Sequence, residues 1–467
     1  MKKWVAVAVM AASLLAVAVG QPPMALKLER RLVNASTSQL VAIDTLRHTK
    51  LLGGGGAVQL PVIGSGNDYL AGGPYLTRVN LGSPPRSFSV IIDTGSSPSW
   101  VACQMVGSST QPGLFDPRVS SSSSVLMCSD NRCKEIVHDR SGVCNTSSNS
   151  CGYNMTYGTG SDVLATAAGY FLSDMVYLEI LNGSQQTSSF SAPIIFGCTD
   201  LRTGDLTHEA FDGILGFGPL PISFSSQVYS LGLSPRVFSL CMERSHGGGI
   251  LVFGKALELG LVYTPLLRDQ DYYELNLESI SVNGKKLGLD PSVFTPSAGY
   301  QTFADSGTSL AFLASEAYDQ FVSAIAAAVS PSANPTLGSR DQHCFVPSSS
   351  IDSSFPHVTL HFVGGAAMQL KPANYLRSRD NSIYCIAWQK NGQRVTILGD
   401  IVLSDKLLVH DIENMVLGWM DYNCSRPIHV TTTPEKKKVN SADASQKISM
   451  PIAIVILIIL VSFSTPS

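Results

Sequence analysis

The chain has 467 residues, of which 14% are charged, and its formal net charge is −3. That length exceeds one ordinary domain and points to a two-lobed body. The charge balance carries no nucleic-acid footprint, and short apolar runs punctuated by Gly, Pro and Asn favour β structure over helix.

The first twenty residues, "MKKWVAVAVMAASLLAVAVG", place two lysines before an apolar stretch and small residues. This is the layout of a secretory signal peptide cleaved near residue 20. A transmembrane anchor is the competing reading, but the apolar core is short and has no flanking basic stop signal. Residues 21–65 read as a prosegment. Within them "LVNASTSQLVAIDTLRHTKLL" has helical apolar spacing, and "GGGG" (53–56) breaks it as a flexible linker. Lys27, Arg30, Arg31, Arg47 and Lys50 against Glu29 and Asp44 leave a net of +3. A basic leader of this kind suits an acidic site and would be released when acid neutralises the carboxylates that hold it. Composition alone suits a disordered leader equally well.

Residues 66–262 form the expected first lobe, in which strand-like runs alternate with turns from "GPYLTRVNLGSPPRSFSVIIDTGSSPSWVAC" (73–103) onward. The Ser- and Cys-rich segment 107–152 reads as loops tied by disulfides. The second lobe, 263–426, opens near "VYTPLL" and contains the one clear helical pattern, "ASEAYDQFVSAIAAAVS" (314–330). Residues 427–441 read as a polar stalk without core-forming residues. Residues 442–467 end in "ISMPIAIVILIILVSF" and four further residues, short for a bilayer span and without a basic tail. A small polar spacer before an apolar end is the pattern of a GPI-attachment signal, with Ser441 the chosen attachment residue. A tail-anchored helix is the alternative.

All ten cysteines lie between Cys103 and Cys424, an even number that reads as disulfides in a secreted chain. No Cys-x-x-Cys pair occurs, so a zinc site has little support and no cofactor is expected. Sequons at Asn34, Asn145, Asn154, Asn182 and Asn423 fit the same compartment, Asn423 being the weakest because Cys424 lies inside it.

The informative feature is a repeat. "VIIDTGSSPSWV" (90–101) corresponds to "TFADSGTSLAFL" (302–313), and each copy is followed by an apolar–Leu–Gly element, "FDGILGFG" (211–218) and "VTILGD" (395–400). Turn preference explains each Asp–[Thr/Ser]–Gly tetrapeptide, but not the duplicated context. An apolar strand would carry Asp93 or Asp305 into a water-poor centre, where a lone carboxylate is costly. Gly95 and Gly307 permit a tight turn that aims N–H groups at the carboxylate. Ser96 and Thr308 offer hydroxyl donors to its outer oxygen, while Thr94 and Ser306 can bond across to the other loop. If the loops meet about a pseudo-twofold axis, the two carboxylates share one proton over an acidic range. Such a pair suits direct attack of water on a peptide bond, with neither metal nor covalent intermediate. Asp212 and Asp400, beside the apolar–Leu–Gly elements, read as structural hydrogen-bonding groups. "YNMTYGTGSD" (153–162) reads as a hairpin with Tyr157, Gly158 and Thr159 near its tip, placed to cover a cleft.

These motifs resemble those of the pepsin-like aspartic proteases over about residues 73–424. The resemblance implies an all-β fold of two lobes with a central cleft that binds an extended peptide, Asp93 and Asp305 as catalytic aspartates, Tyr157 as the flap tyrosine and Trp100 as its support. "WVAC", the Cys-rich insert, "IIFGC", "VFSLCM", "ADSGTSLAFL" and "DYNC" are most similar to plant enzymes of the nepenthesin and nucellin type. That similarity implies disulfides Cys128–Cys151, Cys133–Cys144, Cys344–Cys385 and Cys241–Cys424. Cys103, where relatives have further cysteines close by, is paired with Cys198. The expectation is an acid-active, monomeric endopeptidase on the outer face of the plasma membrane or in the cell wall. A catalytically silent binding or inhibitor protein on the same fold is the rival.

Overall fold

The computed structural model describes residues 24–30, 74–104, 113–158, 165–181, 187–207, 211–244, 248–329, 333–337, 343–379, 382–426, 428 and 430–431. The expected signal peptide, the helical part of the prosegment, most of the stalk and the apolar tail lie outside these residues, as do Asn34, Thr159, Asn182 and Ser441.

The strands that carry the architecture are β1 (Met24–Arg30), β2 (Tyr75–Leu81), β3 (Arg86–Asp93) and β4 (Trp100–Ala102). Helix α1 (Asn131–His138) precedes β5 (Ser150–Tyr157), β6 (Ala165–Leu181), β7 (Thr187–Arg202), β8 (Gly213–Gly216), β9 (Val237–Met242) and β10 (Gly249–Phe253). The second half supplies β11 (Gln301–Ala304), β12 (Ala311–Ala314), α2 (Ser315–Ala328), β13 (Val395–Leu398), β14 (Lys406–Asp411) and β15 (Val416–Asp421).

β3 shows how sequence becomes position. Its period-2 pattern sends Phe88, Val90 and Ile92 into one buried cluster and Ile91 into another, so both faces are covered and Asp93 arrives 5% exposed at the strand end. β8 runs parallel to it, with Gly216 opposite Asp93. The second half repeats the device: β13 runs parallel to β11, with Leu398 opposite Ala304, the residue before Asp305. β4 is antiparallel to β8 and β12 to β13, completing the correspondence. The glycines of the apolar–Leu–Gly elements are there for close approach. A Cβ on Gly216 would lie 2.2 Å from the Ser97 carbonyl oxygen, and one on Gly399 would lie 2.0 Å from that of Leu310.

The halves are not separated by a strand-free boundary. A 15-stranded sheet runs from Val262–Pro265 through β15, β14, β9 and β10 into β1, β2 and β3. β9, wholly buried, pairs with β14 of the second half, and a Cys241–Cys424 disulfide staples the same region. β1, from the segment read as prosegment, is a strand of this sheet between β10 and β2.

Two local expectations are corrected. The segment 107–152 is not all loop: Asp130 caps α1 by accepting from the Arg132 amide, and the helix buries Cys133 and Ile136. That helix changes the disulfides. Cys133 and Cys151, both buried, are bonded to each other, and the half-exposed Cys128 and Cys144 pair at the rim, exchanging the partners that the resemblance implied. The helical face selects the partner by burial, which chain spacing does not reveal. Cys103–Cys198 and Cys344–Cys385 complete the set.

Candidate active site

Asp93 and Asp305 sit at the ends of equivalent strands and face each other across the junction of the halves. A Cβ on Gly95 would lie 2.4 Å from the Asp305 Cγ, and one on Gly307 would lie 2.4 Å from Asp93 Oδ1. Each glycine is therefore the floor on which the opposite carboxylate rests. Within each loop the carboxylate is satisfied in the same way. Asp93 Oδ1 accepts from the Gly95 amide at 2.8 Å and Oδ2 from the Ser96 hydroxyl. Asp305 Oδ1 accepts from the Gly307 amide at 2.7 Å and Oδ2 from the Thr308 hydroxyl at 2.6 Å.

The loops are locked together by their middle residues. The Thr94 amide donates to Ser306 Oγ at 3.2 Å, and the Ser306 amide donates to Thr94 Oγ1 at 3.0 Å. Their hydroxyls donate onward to the carbonyls of Ala304 and Ile92. All four partners are buried, so the network is shielded from water and fixes the separation of the aspartates. Burial first, then the facing Asp305 carboxylate, pushes Asp93 up to about 7 against the donors Ser96 and Gly95. Two carboxylates this close in a dry site disfavour each other's ionisation.

Tyr157 ends β5, and its hydroxyl accepts from Trp100 Nε1 at 2.8 Å while also approaching the Met155 sulfur at 3.6 Å. Burial, then the Asp93 charge, raises the phenol well above its ordinary value, so it is a neutral hydrogen-bonding group. Gly158 follows with a left-handed φ of 137°, and Thr159 is outside the described residues. Asp212 Oδ2 accepts from the Ser89 amide at 2.7 Å, away from the pair, and Asp400 is 4% exposed in a short helix after β13. Asn145, Asn154 and Asn423 are all exposed, Asn154 on the solvent side of β5. Among the described residues no cluster of three or more His, Cys, Asp or Glu is arranged to hold a metal.

Periodicity had no means of showing Tyr272, whose ring stacks on Phe303 at 4.4 Å, two residues before Asp305. Nor did it show that Gly218 donates to the Ser96 carbonyl at 2.8 Å, tying the segment after β8 to the first aspartate loop.

Two strand-rich halves, a shared sheet and a facing pair of Asp–[Thr/Ser]–Gly loops define a pepsin-like aspartic protease fold. The chain matches the families described as "Xylanase inhibitor N-terminal" over residues 75–255 and "Xylanase inhibitor C-terminal" over 272–421. It is 35% identical to Aspartic proteinase 36 of Arabidopsis thaliana, over 84% of this chain and 82% of that protein. Aspartic proteinase 39 of the same plant is 32% identical over 83% and 81%, and nepenthesin-1 of Nepenthes gracilis 29% over 76% and 79%. The chain belongs to the pepsin-like aspartic protease family, among its plant members.

Proposed function

We propose that this protein is an aspartic endopeptidase that hydrolyses extended peptides at acidic pH. The observation that carries the reading is the approach of each carboxylate to the glycine of the opposite loop, which makes Asp93 and Asp305 one chemical unit. Water between them loses a proton to the ionised carboxylate as its oxygen adds to the scissile carbonyl carbon. The protonated partner delivers its proton to the carbonyl oxygen, giving a neutral diol. On collapse, the newly protonated carboxyl gives its proton to the departing amine and the other recovers one from the diol. The C–N bond is then broken and the starting ionisation restored. Tyr157, with its hydroxyl held by Trp100, closes over this centre and excludes water.

In the same reading the chain is made as a zymogen, enters the secretory pathway, is glycosylated at exposed sequons and is held at the outer membrane face by a GPI anchor. The signal-like leader, the basic 21–65 segment and the polar spacer before an apolar end support this. A catalytically silent binding protein has one observation behind it, the xylanase-inhibitor description of the matching families. Both aspartates with their glycine and hydroxyl partners are in place, which favours the enzyme. The test is hydrolysis of peptides from pH 3 to 7 by the purified protein, with Asp93→Asn and pepstatin as controls. Acid-range cleavage lost in both controls supports the reading; no cleavage by folded, prosegment-free protein moves the assignment to the binding protein.

A further inference from the structure

A cavity of about 450 Å³ opens at the junction of the halves. Its apolar floor includes Leu220, Leu266, Tyr273 and Ile412, and Tyr272 forms the side toward the aspartates. Each aspartate loop is linked to it through one lining residue, Leu220 on the first side and Tyr272 on the second. Tyr272 stacks on Phe303 beside Asp305, and its hydroxyl is raised by burial and then by Asp271, Asp305 and Asp93 in turn. The Leu220 amide donates to Ser97 Oγ at 3.2 Å, next to the first loop. A peptide lying across the two aspartates therefore has this cavity on one flank.

The rim is charged, and one ion pair spans it. Arg140, just past α1 in the Cys-rich segment, donates to both Asp271 carboxylate oxygens at 3.1 Å, joining residues 131 apart in the chain. Their side chains are 79% and 51% exposed, so solvent screens the pair and it opens readily. Arg236 and Arg268 line the same cavity, Arg236 with its guanidinium 5.9 Å from the centre of the Tyr229 ring. Three guanidinium forks around an apolar floor are suited to a carboxylate that arrives tethered to a bound chain. Asp139 and Asp269 also lie on the rim, so the choice between an acidic and a basic guest is a measurable one.

We propose that this cavity is a substrate subsite for an acidic side chain, and that Arg140 selects it by exchanging Asp271 for the substrate carboxylate. The proposal rests on the peptide-binding reading of the cleft and adds the class of peptide preferred. Arg140 is a specificity residue that touches substrate on the flank, away from the reacting bond.

The test is binding of labelled octapeptides, in which a single Glu, Gln or Lys is walked along the sequence, to the mature protein carrying Asp93→Asn at pH 6. At one position the Glu peptide is expected to bind roughly tenfold tighter than its Gln counterpart. Arg140→Gln brings that ratio to about one, and Asp271→Asn, which frees Arg140, raises the ratio. Added salt lowers it. Equal affinities for Glu and Gln peptides at every position, a preference for Lys, or no binding of any peptide overturns the proposal. Glu-dependent binding without cleavage of any peptide by the unmutated protein sinks the protease reading and leaves the subsite standing.

Discussion

Thr94 and Ser306, 212 positions apart, each accept the other's backbone amide at a side-chain hydroxyl. Removing either hydroxyl strands a buried amide in the opposite loop. Thr94→Val or Ser306→Ala is expected to destabilise by about 1–3 kcal/mol in denaturant unfolding. Because the two act through one network, the double variant should lose less than the sum. Peptidase activity should fall more steeply than stability, since the same bonds set the spacing of the aspartates.

The glycines give a sharper separation of fold from chemistry. Gly95→Ala and Gly307→Ala each place a methyl where the opposite carboxylate now sits. The expected result is a folded protein with native circular dichroism and hydrolysis reduced by at least about a hundredfold, because the carboxylates must part. A variant with unchanged kcat would show that the aspartates do not act as a pair.

Two buried groups pull the pH dependence of stability in opposite directions. Asp93 keeps its proton to about 7, above the unfolded carboxylate value of 3.8, so the folded state binds more protons in between and this contribution weakens as pH rises from 4 to 7. His410, stacked on Phe238 at 4.4 Å with neither ring nitrogen hydrogen-bonded, is lowered by burial to about 3 from 6.5. There the unfolded state binds more protons, so stability is lost as pH falls through that window. Asp93→Asn should therefore raise Tm at pH 7 more than at pH 4, and His410→Phe should raise it more at pH 4. Thermal melts of the two variants across pH 4–7 check both signs.

Tyr157→Phe leaves Trp100 Nε1, on a side chain 1% exposed, without its acceptor. The expected outcome is a stability loss of about 1–3 kcal/mol, together with a fall in kcat/KM of roughly tenfold or more. Tryptophan fluorescence should shift in parallel as the indole is released.

Disulfide mapping of unreduced peptides should recover Cys128 with Cys144 and Cys133 with Cys151. The loops close over 16 and 18 residues, so chain entropy predicts similar contributions of about 3 kcal/mol each. Cys133→Ser with Cys151→Ser is nevertheless expected to be the more damaging double variant, because it buries two hydroxyls where the rim pair would expose them.

Much of the site was legible because its chemistry is local. An apolar strand, an aspartate, a hydroxyl residue and a glycine occupy consecutive positions, and Asp93 ends β3 while Asp305 directly follows β11. The helix over 314–330 was legible for the same reason, and α2 covers Ser315–Ala328. Helix α1 was not: eight residues with two buried side chains, in a segment rich in Ser and Cys, give too little periodicity to stand out from loop.

By itself the sequence determined the duplicated aspartate loops, the class of chemistry they suit and the strand-rich character of the body, because each depends on residues adjacent in the chain. Only the tertiary structure decided which cysteines meet in the insert, that Met24–Arg30 enters the shared sheet, and that Arg140 reaches Asp271 beside Tyr272. Those contacts join segments far apart in the chain. Their partners are chosen by burial, register and the packing of one half against the other, and none of these is a property of a local stretch.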